Sequence, residues 1–237
     1  MYPPSAFHGQ QPWRPYLRLV GHSVQGYGLA WSARKEGYLL SGSTDARICL
    51  WDTNSGGGTG IGNVVRPLQV FQGHPSAVTD LGLHSDSDEL FGSVGNDGQL
   101  LIWDYRASTA PTQTVKVNDK SWVNCLAFEP LNKELVAVGS GDGTLALHDL
   151  RKLSQPLHKL LTHEGDVHHV EWDSNCATKL ASSGDYNTVK VWDLTRIDTQ
   201  EDATSASGPA PPLSRCLLML SIQAWYLIFH GVRSWRG

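Results

Sequence analysis

Apolar and polar residues alternate along this chain in short runs and do not recur at the three-to-four spacing of a helix. The segment Tyr27-Gly28-Leu29-Ala30-Trp31 sets the pattern, and β-rich runs follow at LLSGS, RICLW, LFGSV, QLLIW, LVAVGS, TLALH, KLASS and TVKVW. Between them stand tight-turn sequences such as NDG and GDG, which suit hairpins because Gly accepts the left-handed backbone such turns require. The pattern predicts an all-β chain of short antiparallel strands.

These strands belong to a repeated unit. His22 precedes Trp51, His74 precedes Trp103 and His163 precedes Trp192, each by 29 residues, and a degenerate copy sets Asp119 the same 29 residues before His148. Successive Trp-Asp sites, counting His148-Asp149 as one, are 52, 45 and 44 residues apart. Propeller blades of the Trp-Asp class repeat every ~40–45 residues. The surplus in the first interval falls in SGGGTGIGN, which reads as a flexible hairpin loop; it lacks the lysine of a phosphate-binding GxxxxGK[ST] loop and precedes a strand-like run. The expected fold is an all-β propeller of about four blades over residues 16–197, after a disordered start at 1–15. Four blades leave sheet faces open, so an incomplete ring is expected. Residues 198–212 have linker composition with acidic and proline residues. Residues 213–237 break the blade grammar and are expected to be an atypical apolar tail from a truncated, alternatively spliced or frame-shifted product.

The turn residues Asp45, Asp97 and Asp142 each lie six positions before the Trp or its substitute. In this the chain resembles the WD-repeat family, whose blades link a turn Asp, the Gly-His histidine, a strand Ser or Thr and the Trp in a buried hydrogen-bond network. The resemblance implies that network for His22, Ser41, Asp45 and Trp51 in the first blade, and for His74, Ser93, Asp97 and Trp103 in the second. The third blade carries Asp119, Val138, Asp142 and His148; the fourth keeps His163, Ser182 and Trp192 but has Tyr186 at the Asp position. Because a half-satisfied polar network is worse than none, the third blade is expected to rely on its apolar strands.

Longer strings, GHSVQGYGLAW, LFGSVGNDGQLLIWDYR, VNCLAFEP, GSGDGTLALHDLR and LASSGDYNTVKVWDLTRI, are similar to the histone-binding propellers called retinoblastoma-binding proteins, the small subunits of chromatin assembly factor. Those have seven blades and a long amino-terminal helix; the likeness here covers residues 16–212. It implies two surfaces. On the rim, a histone helix would meet the loop carrying Glu201, Asp202, Pro211 and Pro212. On the top face, where each innermost strand begins, basic peptide tails would meet Gln25, Tyr27, Thr79, Asn124, Asp166 and His168. The family places acids at the positions of Gln25 and Thr79 and an aromatic at that of His168, so this chain offers two carboxylates and one ring fewer.

Composition narrows the function classes. The 237 residues are 40% hydrophobic and 18% charged with nine Trp, unlike a disordered chain or a coiled coil. A formal charge of -4 and a sequence pI near 6.2 argue against direct nucleic-acid binding by counterion release. Cys49, Cys125, Cys176 and Cys216 form no CxxC pair and read as reduced thiols of an intracellular protein. No secretory signal is read at the amino end, and the apolar run 217–229 is short for a membrane span. The histidines of HEGDVHH tempt a metal reading, but His163 belongs to the repeat and strand alternation sends His168 and His169 to opposite faces. Ser, His and Asp recur in every blade as structure, whereas catalysis needs one activated nucleophile, so no enzyme, cofactor or metal is expected. The expected function is a non-enzymatic nuclear scaffold that binds histones, basic tails and chromatin-complex subunits in assembly, deacetylase, remodelling or methyltransferase complexes. The alternatives are an adaptor for a non-histone partner, such as a ubiquitin-ligase substrate receptor, and a non-functional fragment.

Overall fold

The alternating runs form seventeen short strands in a computed structural model, which describes residues 15–55 and 63–195. Each blade is an antiparallel meander built outward from an inner strand. Blade 1 comprises β2 (Gly26–Trp31), β3 (Tyr38–Ser43), β4 (Arg47–Asp52) and β6 (Gln69–Gln72). Blade 2 comprises β7 (Val78–Leu83), β8 (Leu90–Gly95), β9 (Gln99–Asp104) and β10 (Gln113–Lys116). Blade 3 comprises β11 (Val123–Phe128), β12 (Leu135–Ser140), β13 (Thr144–Asp149) and β14 (His158–Leu161). Blade 4 has three strands among the described residues: β15 (Val167–Trp172), β16 (Lys179–Gly184) and β17 (Thr188–Asp193).

The remaining two strands meet at the end of the glycine-rich stretch. Its end enters β5 (Asn63–Val65), which pairs in parallel with β1 (Leu17–Leu19) outside the blades. Residues 56–62 and the expected tail at 213–237 lie outside the described residues.

Adjacent blades are glued by apolar side chains, because each sheet buries the face it turns toward a neighbouring sheet. Leu40, Ile48, Leu50 and Phe71 of blade 1 meet Val78, Leu81, Phe91, Leu101 and Trp103 of blade 2. Phe91 stacks on the Trp103 indole with centroids 5.7 Å apart, and Phe71 meets both rings edge-on. The same arrangement joins blade 2 to blade 3 through Val94, Leu100 and Ile102 against Val123, Leu126 and Val138. Blades 3 and 4 share Leu145, Leu147 and Val167, and the Trp172 indole donates to the Ala127 carbonyl at 2.9 Å. We call the side of a blade that faces the preceding blade its leading face, and the other its trailing face. Small residues on the trailing face let the next blade approach: a Cβ at Gly42 would lie 2.6 Å from the Val78 side chain.

Every inner strand has a register shift at its start: between Gly26 and Leu29, Val78 and Asp80, Val123 and Cys125, and Val167 and His169. A bulge breaks strict alternation and re-aims the side chain at the break. In β15 the bulge falls at His168, whose ring turns to Asp185, and both His168 and His169 are exposed.

Candidate functional site

The hydrogen-bond networks fix the blades before any ligand is considered. In blade 2 the Trp103 indole N–H donates to Ser93 Oγ at 2.8 Å, Ser93 lies 2.7 Å from His74 Nε2, and His74 Nδ1 lies 2.7 Å from Asp97. The indole can only donate and the carboxylate only accept, so Ser93 Oγ accepts at one end of the chain and the His74 Nδ1–H donates to Asp97 at the other. Blade 1 repeats the chain through Trp51, Ser41, His22 and Asp45, with the last contact stretched to 3.2 Å. Backbone N–H groups of Ser23 and Arg47 and the His22 ring hold the Asp45 carboxyl below its usual range, against a desolvation that works the other way.

Blades 3 and 4 correct two assignments. The histidine position of blade 3 is filled by Asn118, not Asp119: Asn118 is 4% exposed and its amide donates to Asp142 at 2.7 Å, whereas Asp119 faces solvent. An amide suits because it supplies a proton, whereas a second carboxylate facing Asp142 would bring repulsion. Asn118 Oδ1 also accepts from the Lys120 and Ser121 backbone, so this corner is well bonded. The strand end of the network is the part that is missing: with Val138 in place of serine, His148 is 1% exposed and both ring nitrogens lack a partner. In blade 4, Tyr186 does not replace the Asp. Its backbone is left-handed at φ 61°, its side chain is 73% exposed, and Thr188 Oγ1 contacts His163 Nδ1 at 3.0 Å. The far nitrogen of His163 meets Ser182 at 2.9 Å, and Ser182 accepts from Trp192 at 2.9 Å. Desolvation, reinforced by Lys190 and His168, pushes His163 down to about 4, so it is neutral at pH 7.

The inner-strand bulges gather a polar and aromatic cluster at the end where these strands begin. Trp122 donates its indole N–H to Asp166 Oδ2 at 3.1 Å, and the Asn124 amide reaches the same oxygen at 3.3 Å and the Val167 carbonyl at 3.1 Å. Only glycine fits beneath the indole: a Cβ at Gly141 would be 2.2 Å from Trp122 Nε1. Asp185 accepts from the Asp166 backbone N–H at 3.0 Å and contacts His168 Nε2 at 2.7 Å. The His168 bond, followed by that N–H, holds the Asp185 carboxyl below its usual range. Two carboxylates, one exposed indole and one imidazole therefore share a surface across blades 3 and 4.

Not every expected top-face residue contributes to that cluster. Tyr27 is 61% exposed on blade 1, where Gln25 contacts its hydroxyl at 3.4 Å. The Thr79 hydroxyl is turned inward, 2.5 Å from the Val123 carbonyl oxygen and 3.1 Å from that of Val94, and braces blade 2 against blade 3. Glu201, Asp202, Pro211 and Pro212 lie outside the described residues. Trp122 and Asp185 were missed, although the repeat frame locates the first of them: Trp122 holds in blade 3 the position of Gln25 in blade 1 and Asp166 in blade 4.

A family model described as the WD domain, G-beta repeat, matches residues 13–52, and one described as the nucleolar protein 10-like N-terminal domain, a β-propeller, matches residues 59–209, more than half of the chain. The chain belongs to this β-propeller family. Its blades are WD repeats, and the described residues form part of a WD-repeat propeller. The WD-40 repeat-containing protein MSI3 of Arabidopsis thaliana is 50% identical over 146 residues, which are 62% of this chain and 33% of that relative. The matched part of this WD-repeat propeller thus spans about a third of the curated relative.

Proposed function

We propose that this WD-repeat chain is a non-enzymatic nuclear scaffold that binds Lys/Arg-rich segments, histone tails among them, and brings them to the subunits of chromatin complexes. The observation that carries the reading is the Trp122–Asp166–Asp185 cluster. An indole pinned over Gly141 offers a flat face to an aliphatic stem or a guanidinium, and two carboxylates beside it accept its charge. Asp166 Oδ2 is held by Trp122 and Asn124, and the carboxylate's other oxygen is the acceptor in this reading for an incoming cation. Similarity of the blade strings to histone-binding propellers supports the choice of histones as the basic partner.

Fluorescence anisotropy of a labelled Lys/Arg-rich tail peptide on the full chain tests this. Few anchors imply a Kd on the order of micromolar or weaker. Asp166→Asn and Trp122→Ala should each weaken binding about tenfold, roughly the effect of a lost charge-assisted contact. Affinity unchanged in both variants, or equal affinity for an acidic peptide of the same length, refutes the reading. Recovery of a non-histone protein instead of core histones in a pull-down would favour the adaptor role.

A further inference from the structure

At the end of the blades opposite the top face, the junction between blades 1 and 2 differs from the others. Tyr38 stands at the start of β3 and Tyr105 directly after β9. In the repeat frame the first position holds Leu90, Leu135 and Lys179 in the other blades, and the second holds Thr53, Leu150 and Leu194. Among the described blades, therefore, two phenol rings share a seam at this junction alone. Both pack against its apolar core and, with Leu83 and Asp88, line one cleft.

A cation of the chain itself sits on these rings. Lys35 Nζ lies 4.0 Å from the centroid of Tyr38 and 5.9 Å from that of Tyr105. The loop that delivers it is clasped to blade 2: Ser32 Oγ accepts the Lys35 backbone N–H at 2.9 Å, and the Arg34 guanidinium donates to the carbonyl and the carboxylate of Asp86, each at 3.2 Å. Arg34 thereby answers Asp86, while Glu89 has Arg106 at 3.5 Å and accepts from the Ser87 hydroxyl at 3.1 Å. The third carboxylate, Asp88, has no hydrogen bond or salt bridge among the described residues, and the third cation, Lys35, stands over rings and not on a carboxylate. Lys35 is exposed, so its hold on the rings is a surface contact that another cation can replace.

We propose that the Tyr38–Tyr105 seam is a binding site for a methylated ammonium group, such as a trimethyl-lysine side chain in a partner's peptide segment, and that Lys35 fills the site as a self-ligand until such a group displaces it. A ring face attracts any cation through its quadrupole. A primary ammonium is a compact, strongly hydrated charge, so a partner's unmodified lysine sheds water only to gain what Lys35 already has. Methyl groups on the nitrogen remove that hydration and add apolar contact with the rings and Leu83, while Asp88 supplies the counter-charge. The site therefore favours the methylated group over the unmodified one. It lies at the other end of the blades from the Trp122 cluster and depends on none of its residues.

Ligand-observed NMR of the full chain with a Gly/Ser-rich peptide carrying one trimethyl-lysine tests this, beside the same peptide with an unmodified lysine. A single anchoring side chain implies a Kd on the order of 0.1–1 mM. The methylated peptide should bind at least about fivefold tighter than the unmodified one, and Lys35→Ala should tighten it about two- to fivefold, the worth of an exposed cation–ring contact. Tyr105→Leu should weaken it about fivefold or more, and Asp88→Asn, which leaves the packed rings in place should the first variant fail to melt cooperatively, about threefold. Trp122→Ala should leave it unchanged. Equal binding of the two peptides overturns the proposal, as does no gain in Lys35→Ala or full affinity in Asp88→Asn. Loss of binding in Trp122→Ala also overturns it, because the top face would then hold the methylated group.

Discussion

Removing the Ser93 hydroxyl tests the physical account of the blades most directly. Ser93 is fully buried and stands at the middle of its network, accepting from Trp103 at 2.8 Å and meeting His74 at 2.7 Å. Ser93→Ala leaves the backbone and packing in place but strips both neighbours of a partner. Each lost hydrogen bond is worth about 1 kcal/mol net, and the buried indole N–H left unpaired adds a desolvation penalty, so the expected loss is about 2–4 kcal/mol. With ~2–4 °C per kcal/mol for a fold of this size, the melting temperature should fall by roughly 4–16 °C. Thermal melts followed by circular dichroism, with urea titrations to check that the slope is constant, provide the reading. Ser41→Ala should lose about half as much, because the His22 side chain is 15% exposed and its Asp45 contact is longer, so water replaces part of what is lost. A Ser93→Ala loss below about 0.5 kcal/mol, the range of ordinary surface substitutions, would refute the claim that these networks hold the blades.

In blade 3, His148→Phe should be neutral or stabilising by about 1 kcal/mol in the same melts, since an apolar ring replaces an imidazole with two unpaired nitrogens in a site that takes an indole in the other blades. Ala46 holds a left-handed φ of 63° at the turn position where blades 2 and 3 have Gly98 and Gly143, so Ala46→Gly should raise stability by about 1 kcal/mol by urea titration. Burial raises Asp80 to about 6 despite the N–H groups of Leu126 and Leu81. The folded state then holds a proton the unfolded chain has released, so the stability of wild type relative to Asp80→Asn should fall as pH rises from about 4 to about 6 and level off above, as urea midpoints across that range would show. Gln25→Glu should tighten a basic tail peptide and steepen its salt dependence, measured by isothermal titration at two salt concentrations; an unchanged affinity would place Gln25 off the binding path.

The strands were legible because alternation and a 29-residue spacing are local arithmetic, and WD blades preserve both. Side-chain partners at the corners were not, since exchange between neighbouring positions is invisible to spacing. Asn118 displaces Asp119 because a carboxylate needs a donor, and Thr188 substitutes for Tyr186 because a left-handed backbone turns the tyrosine outward. The bulges escaped notice for a similar reason: alternation assumes an unbroken pleat, and each inner strand breaks it within its first residues. Counting in the repeat frame does not say which way a top-face side chain turns: Thr79 points inward and Trp122 outward, which depends on which carbonyls and carboxylates the neighbouring blade brings within reach.

The carboxylate of Asp80 accepts the backbone N–H of Leu126 at 3.0 Å across the seam between blades 2 and 3. That single amide is therefore a natural strain gauge. Its deuterium uptake is held back only while the two sheets stay in contact, whereas amides paired within β11 and β12 remain protected if the blades part as intact sheets. Comparing the exchange rate at Leu126 with those of its strand neighbours would distinguish separation of whole blades from fraying of individual strands, and would locate the seam at which this β-propeller first opens.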